Sequence, residues 1–141
     1  MTQQLSLPIE VANPDPKSCW VSVACDLTEA TREFLIREAN KFGQHEVCGF
    51  VTTGGTVIPV PNVHEESHKA FMMEPITMVN TITRHSISAL YHSHPSGRPW
   101  PSKTDTEQMA YLYQQGCPWD YYIVTRQDVY KFEFKDRDHT T

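Results

Sequence analysis

The stretch HSHPSGRPWPSKTD, residues 92–105, carries the strongest indications of the fold and of the chemistry of this chain. His92 and His94 stand two residues apart at the end of the apolar run ISALYHSH, residues 87–94, which predicts a strand. Side chains at positions i and i+2 of a strand point to the same face. Two imidazoles on one face can therefore bind one metal ion, each at roughly 2.0–2.1 Å for zinc.

The second half of this stretch returns a carboxylate to the histidines. The turn-rich segment PSGRPWP, residues 95–101, reverses the chain, and a helix is predicted from Ser102 to about Gln115. Asp105 then lies one turn into that helix. Two histidines, one carboxylate and a water form an open catalytic zinc site, whereas a closed structural site would need a fourth protein ligand. The sequence therefore predicts Zn²⁺ as the cofactor, with these three side chains as its ligands.

Two further polar residues fit a hydrolytic role at such a site. Glu46 opens the predicted strand EVCGF, and a carboxylate within reach can accept a proton from water activated by zinc. Ser102 starts the predicted helix, where its hydroxyl and neighbouring backbone N–H groups can face an oxyanion. Each of the five candidate site residues also has a plainer explanation. Ser102 and Asp105 form a helix-capping pair. Glu46 alone is a surface acid, and the two histidines alone are polar groups at a strand end. Their combination favours the metal centre.

A second zinc motif, HEESH over residues 64–68, competes with this assignment. H-E-x-x-H binds zinc only on a helix, where residues i and i+4 share a face. Pro59 and Pro61 precede the segment, Pro75 follows it, and no amphipathic stripe surrounds it, so we predict a polar loop instead. An H-x-H-x-D-H hydrolase site fails because positions 96 and 97 are Ser and Gly, and the P-C-x-x-C motif of zinc deaminases is absent from the sequence.

Strand and helix signals alternate along the rest of the chain. Trp20-Val21-Ser22-Val23 predicts a strand, and a helix is predicted to begin with Asp26 as N-cap and Glu29 as its capping-box partner, and to end at Gly43. A hairpin is predicted around Gly54-Gly55, with its second strand ending at Pro59 and Pro61. A polar connection over residues 62–74 and a short helix from Thr77 to His85 follow. The last predicted strands are Tyr121–Thr125 and Val129–Phe134. This order indicates an α/β sheet with helices packed on it.

Length and composition are those of one soluble globular domain. The chain has 141 residues, 39% hydrophobic and 21% charged, with a net charge of −5. Scattered Lys and Arg residues argue against nucleic-acid binding, and no apolar run reaches the roughly 20 residues of a membrane span. The N-terminus does not resemble a secretory signal, and the cysteines form no regular framework, which predicts reduced thiols in the cytoplasm. They are Cys19, Cys25, Cys48 and Cys117.

At this point the residues resemble the JAMM signature of the JAB/MPN family (the MPN+ metallopeptidases). That signature has an upstream Glu, H-x-H, seven residues, Ser, two residues and Asp, and this chain has every fixed position. The resemblance implies zinc ligation by His92, His94 and Asp105, with Glu46 as acid/base and Ser102 as oxyanion stabiliser. It also implies the fold: a single α/β domain of the MPN type with a mixed central sheet flanked by helices, like that of cytidine deaminases. We place this metallopeptidase domain at residues 26–134, after an N-terminal arm at 1–25 that can hold the short strand, and before a polar tail at 135–141.

Within this family the chain is similar to the N-terminal peptidase domain of the tail-assembly protein K group of lambdoid phages. The shared stretches are EVCGF, AFMMEP, HSHPSGRPWPSKTD and PWDYYIV…VYKF. This resemblance implies an endopeptidase that processes a phage tail protein, in the host cytoplasm if a phage encodes it. Two alternatives stay open: an isopeptidase that acts on a ubiquitin-like protein, and an inactive MPN scaffold. The expected partner is a protein or peptide substrate, with Trp100 and Phe71 as candidate walls of its cleft, while the sequence leaves the oligomeric state open.

Overall fold

A computed structural model describes residues 20–117 and 119–135 of this protein. Within them the elements follow the order β1 (Trp20–Val23), α1 (Glu29–Lys41), β2 (Cys48–Thr52), β3 (Val57–Val60), α2 (Pro75–Arg84), β4 (Ile87–Ser93), α3 (Lys103–Gln114), β5 (Asp120–Val124) and β6 (Val129–Phe134). The strands form one sheet in the order β1-β6-β5-β4-β2-β3. The β4–β5 pair is parallel, and the other pairs are antiparallel. The predicted α/β fold with a mixed central sheet is confirmed.

The period-two alternation of β4 sends its side chains into two separate cores. Leu90 belongs to a cluster that includes Phe50 and Met109 of α3, with residues of α2 packed against it. Tyr91 belongs to the opposite cluster, with Leu35 of α1. Helices α2 and α3 therefore cover one face of the sheet and α1 covers the other. Within the described part of the chain, no helix is long and apolar enough to cross a membrane.

The first helix begins two residues later than predicted. The N-cap is Thr28, whose side chain accepts a hydrogen bond from the backbone N of Thr31. Asp26, the predicted N-cap, instead accepts hydrogen bonds from the Tyr122 hydroxyl at 2.6 Å and from Lys131 Nζ at 3.1 Å. Both partners lie far along the chain, so long-range contacts override the local capping signal. The predicted end of the helix is confirmed, because the C-cap is the residue before Gly43.

The remaining elements match their predictions with small shifts. The hairpin around Gly55 is confirmed, and Gly55 has the positive φ of 88° that its turn requires. Strand β3 ends at Val60, directly before Pro61, as predicted. Pro59, also predicted to end the strand, lies inside it, which an edge strand tolerates since its outer backbone groups need no partner. Helix α2 begins earlier than predicted because Pro75 takes its first position. The predicted extended arm before residue 19 and the tail beyond residue 135 lie outside the described residues.

Candidate metal centre

Three predicted ligands meet at the carboxyl end of β4. His92, His94 and Asp105 each offer one ligand atom, and these atoms all lie within 4.8 Å of one another. His92 Nε2 is 2.9 Å from Asp105 Oδ1, and His94 Nε2 is 3.0 Å from Asp105 Oδ2. A tetrahedral zinc with bonds of about 2.0 Å keeps its ligand atoms roughly 3.3 Å apart. The cluster therefore has nearly the dimensions that one such ion needs.

The centre of the sheet fixes the two histidines. His92 is on β4, which pairs with β2 on one side and β5 on the other. His94 follows the strand, and its backbone N donates to the carbonyl of Val124 at 2.8 Å. Between them, Ser93 is tied to Val47 by two bonds, one from its backbone N and one to its side-chain oxygen. Both histidines are almost fully buried, so their backbone and side chains have little freedom to separate.

The ring nitrogens of the histidines are arranged as metal ligands require. His94 Nδ1 lies 2.8 Å from the carbonyl oxygen of Arg98, an acceptor that fixes a proton on Nδ1. His92 Nδ1 lies 3.2 Å from Glu46 Oε1 and 3.3 Å from the carbonyl oxygen of Ser93, which has the same effect. Both Nε2 atoms then keep their lone pairs for a metal. The buried Nε2 of His92 lies 2.9 Å from Asp105 Oδ1 without hydrogen-bonding geometry, and among the described residues it has no hydrogen-bond partner.

Asp105 is held by the start of α3. Its backbone N donates to Ser102 Oγ at 3.0 Å, and its Oδ2 accepts from the Ser102 backbone N at 2.8 Å. This is the predicted capping box, so Ser102 and Asp105 cap the helix and border the cluster together. The box fixes the carboxylate without using Oδ1, which faces His92. Capping is therefore compatible with metal ligation and prepares the carboxylate for it.

Glu46 reaches the cluster from the segment just before β2, although it lies far from His92 in sequence. It is buried, with 8% of its surface exposed. The backbone N of Glu46 donates to the carbonyl of Ser67 at 2.7 Å, and its carbonyl accepts from Asn62 Nδ2 at 2.9 Å. Its carboxylate contacts the side of the His92 ring that carries Nδ1. All five predicted site residues are thus brought together, and in this structure Glu46 is an orienting partner of His92.

The cluster has an electrostatic character that suits a cation. Burial alone would lower the pKa of His92, but the neighbouring carboxylates of Asp105 and Glu46 raise it overall. Burial alone would raise the pKa of Asp105, but His92 and His94 hold it well below its usual value. Asp105 is therefore anionic at neutral pH, and the cluster attracts positive charge, supplied either by protons or by a metal ion.

Two aromatic rings confine the His92 imidazole. Phe71 stacks on it with ring centroids 4.5 Å apart and an angle of 27° between the planes, and Tyr121 meets it edge-on at 5.8 Å. Phe71 was predicted as a wall of the substrate cleft, and in the structure it contacts His92 and the core cluster. Trp100, the other candidate wall, also packs against that core. Tyr121 and the carbonyl of Arg98 were not anticipated, because only the folded chain brings them to the histidines.

The competing HEESH segment forms turns, as predicted, and no helix. His64 Nδ1 accepts a hydrogen bond from the backbone N of Glu66 at 2.9 Å, which uses that nitrogen locally. Over residues 20–117 and 119–135, the sole cluster of three potential ligands is that of His92, His94 and Asp105. The segment's contribution to the site is indirect, because the carbonyl of Ser67 anchors Glu46.

This arrangement has relatives among known proteins. The family model described as prokaryotic homologs of the JAB domain matches residues 28–137. The chain belongs to this family. The match confirms the resemblance to the JAB/MPN family that the sequence indicated. It does not test the finer similarity to phage tail-assembly proteins, which stays a prediction.

Two individual proteins extend this comparison. A relative from Thermus thermophilus, named "Probable TtuB-protein conjugate cleaving protease", is 37% identical over 87 residues, which cover 58% of this chain and 58% of the relative. The chain thus spans less than two thirds of that relative's length. A protein of Desulfitobacterium hafniense with a known solution structure matches with a TM-score of 0.59 at 22% identity, covering 79% of this chain and 84% of that one. At that identity the likeness concerns the fold alone.

Proposed function

We propose that this chain is a zinc-dependent peptidase of the JAMM type, which hydrolyses an amide bond in a protein or peptide substrate. The observation that carries the proposal is the convergence of His92 Nε2, His94 Nε2 and an Asp105 oxygen, with both Nδ1 atoms occupied by acceptors. Three protein ligands leave a fourth tetrahedral position open, which is the pattern of a catalytic zinc site. Zinc held there would polarise a carbonyl and bring the pKa of water to about 7.

Glu46 is proposed as the group that moves the proton. A carboxylate near the open position can accept a proton from the attacking water and deliver it to the leaving amine. In the structure, Glu46 Oε1 lies 3.2 Å from His92 Nδ1, so the base must act from beside a ligand that it also orients. The burial of Glu46 keeps bulk water away from that transfer. Orienting His92 and transferring the proton are separable functions of this one carboxylate.

Ser102 is proposed to stabilise the oxyanion of the tetrahedral intermediate. Its oxygen accepts a hydrogen bond from the backbone N of Asp105, which leaves the hydroxyl proton free to be donated. It also stands at the N-terminus of α3, where the helix dipole favours negative charge. A donor placed before the reaction needs no rearrangement as charge develops on the carbonyl oxygen.

The test compares Glu46→Gln with His92→Ala. The glutamine keeps an oxygen that can accept from His92 Nδ1 but cannot take a proton, so zinc content should stay near one ion per chain while hydrolysis is lost. The alanine removes a ligand, so zinc and hydrolysis should both be lost. Glu65→Gln is the matched control because Glu65 is exposed and should leave both unchanged. Zinc is measured by mass spectrometry of the metal, and hydrolysis by product formation.

Two results would contradict the proposal in different ways. Near-normal turnover by Glu46→Gln would remove Glu46 as the base while leaving the zinc centre in place. A wild-type chain that contains no zinc, and hydrolyses nothing after zinc is added, would leave the inactive MPN scaffold as the better description. The intact set of five polar residues argues against that scaffold, since a scaffold has no need to keep all of them.

The substrate has two candidates that the same chemistry serves. A relative named as a probable TtuB-protein conjugate cleaving protease favours cleavage of a protein conjugate, which agrees with the isopeptidase alternative that acts on a ubiquitin-like protein. The stretches shared with the phage tail-assembly group favour processing of a tail protein. Cleavage of a ubiquitin-like fusion, a tail protein from the same genome and a generic unfolded protein would separate them. Cleavage of the fusion alone would support the isopeptidase, and cleavage of the tail protein alone the processing endopeptidase.

A further inference from the structure

An open cleft of about 580 Å³ lies beside the metal centre. Two turns form much of its lining: residues 95–97, which follow His94, and residues 125–127, which join β5 to β6. Gln44, His68 and Tyr130 complete it. The volume falls within the range of about 300–1,000 Å³ that is usual for small-ligand sites, and is large enough for a few residues of an extended peptide.

The backbone that carries His94 also builds this cleft. Strands β4 and β5 run parallel, so their carboxyl ends lie side by side and the two turns begin there. The backbone N of His94 donates to the carbonyl of Val124, and the backbone N of Gly97 donates to the carbonyl of His94 at 2.9 Å. The cleft is therefore held against the strand ends that carry His94, and a peptide lying in it would contact the turn that follows His94.

The charge of the cleft is opposite to that of the protein. The whole chain carries a net charge of −5, yet among the described residues the side chains that line the cleft include Arg126 and no carboxylate. The nearby Asp128 is paired with Arg32 at 2.5 Å. Across residues 20–117 and 119–135, no carboxylate lies within 4.0 Å of the Arg126 guanidinium. No carboxylate of the described residues therefore neutralises the positive charge of Arg126.

We propose that this cleft binds the part of the substrate that flanks the scissile amide, and that Arg126 selects a carboxylate side chain there. The proposal rests on the peptidase function proposed above. It makes Arg126 a specificity-determining residue, remote from the bond-breaking step, whose guanidinium can hold a carboxylate through two parallel N–H donors. An acidic residue in the flanking segment is the chemistry that this cleft would recognise.

Binding of two synthetic peptide pools to the full chain tests this directly. Both pools contain acetylated pentapeptide amides with random outer residues, and the central residue is Glu in one and Gln in the other. Backbone amide signals are followed by ¹H–¹⁵N NMR, with and without added zinc. We expect shifts confined to the two turns of the cleft and an affinity about threefold to fivefold higher for the Glu pool, which is typical of a solvent-exposed ion pair. High salt should reduce the difference.

Substitutions of Arg126 test whether this residue is responsible for the preference for Glu. Arg126→Ala should abolish the preference for Glu, and Arg126→Glu should reverse it towards a third pool with central Lys. Arg84→Ala makes the same charge change at an exposed position at the end of α2, outside the cleft, and should leave the preference intact. Equal affinity for the Glu and Gln pools, shifts outside the cleft, no binding of the Glu pool, or unchanged selectivity in Arg126→Ala would each overturn the proposal.

Cleavage by the zinc-loaded chain separates this proposal from the function it rests on. If the Glu pool binds in the cleft but no substrate is hydrolysed, the peptidase function fails and the acidic-peptide site stands. If substrates are hydrolysed with no preference for acidic flanking residues, and the pools bind equally, the peptidase function stands and the role of Arg126 is wrong.

Discussion

Replacing Ser102 by alanine separates its two proposed functions, helix capping and oxyanion stabilisation. The change removes the Oγ atom that accepts from the backbone N of Asp105. It leaves the backbone N of residue 102, which donates to Asp105 Oδ2 at 2.8 Å. The carboxylate therefore keeps the bond that orients it towards the histidines. We expect Ser102→Ala to bind zinc nearly as well as the wild-type chain.

The capping function and the oxyanion function predict very different losses of kcat when Ser102 is replaced. Removal of a serine N-cap costs about 1 kcal/mol of folding free energy, which lowers the melting temperature by about 4 °C in a domain of this length. Such a loss leaves the chain almost entirely folded at 25 °C, so it barely changes activity. Removal of an oxyanion donor lowers kcat by about 10²–10³-fold. A purely structural Ser102 and a catalytic one therefore differ in kcat and not in stability.

Thr28→Ala supplies the matched control. Thr28 caps α1 through the same kind of bond, from the backbone N of Thr31 to its hydroxyl oxygen at 3.2 Å, and is not part of the ligand cluster. Melting temperature, zinc content and kcat are measured for both alanine variants and for Ser102→Thr, which keeps the hydroxyl. We expect similar melting temperatures for the two alanine variants and a large loss of kcat in Ser102→Ala alone. Equal kcat in Ser102→Ala and Thr28→Ala would refute the oxyanion role.

Two further predictions concern the strand pair that supports the site. Gly49→Ala should lower the free energy of unfolding in urea by about 3 kcal/mol. An added Cβ would meet the carbonyl oxygen of Ile58 at 2.4 Å and the Tyr91 ring at 2.6 Å. A loss under 1 kcal/mol would mean that β2 and β3 separate freely. Tyr91→Phe should raise the free energy of unfolding by about 1 kcal/mol, because among the described residues the buried Tyr91 hydroxyl has no hydrogen-bond partner. A clear destabilisation by Tyr91→Phe would contradict that.

Local signals account for the elements that the sequence predicted well. The hairpin follows from two glycines between β-rich runs, and its turn takes the positive φ that glycine allows. The start of α3 follows from the Ser-x-x-Asp pattern, which the structure confirms as a capping box. In both cases the deciding interactions lie within a few residues, so the sequence carries them directly.

The missed features depend on residues far apart in the chain. Asp26 is of a residue type that commonly caps helices, yet its carboxylate is bound by Tyr122 and Lys131, which lie about a hundred residues away in sequence. Proline usually ends a strand, but Pro59 is tolerated inside β3 because β3 lies at the edge of the sheet. The order of the strands in the sheet cannot be read from the local sequence. Phe71 and the carbonyl of Arg98 contact the histidines only after the loops on either side of β4 have folded back.

Glu46 shows how local pattern and long-range pairing combine at this site. Glu46 lies two residues before Cys48, the first residue of β2, and Cys48 pairs with His92 in the antiparallel register of β2 and β4. A slip of one residue in this register would change which residue of β2 lies opposite His92, and would displace Glu46 from the His92 ring. The register is defined by the tight fit of Gly49 against Tyr91 and by the bonds between Val47 and Ser93. The residues that hold this pair of strands in register therefore also determine whether the proposed base can reach the candidate metal centre.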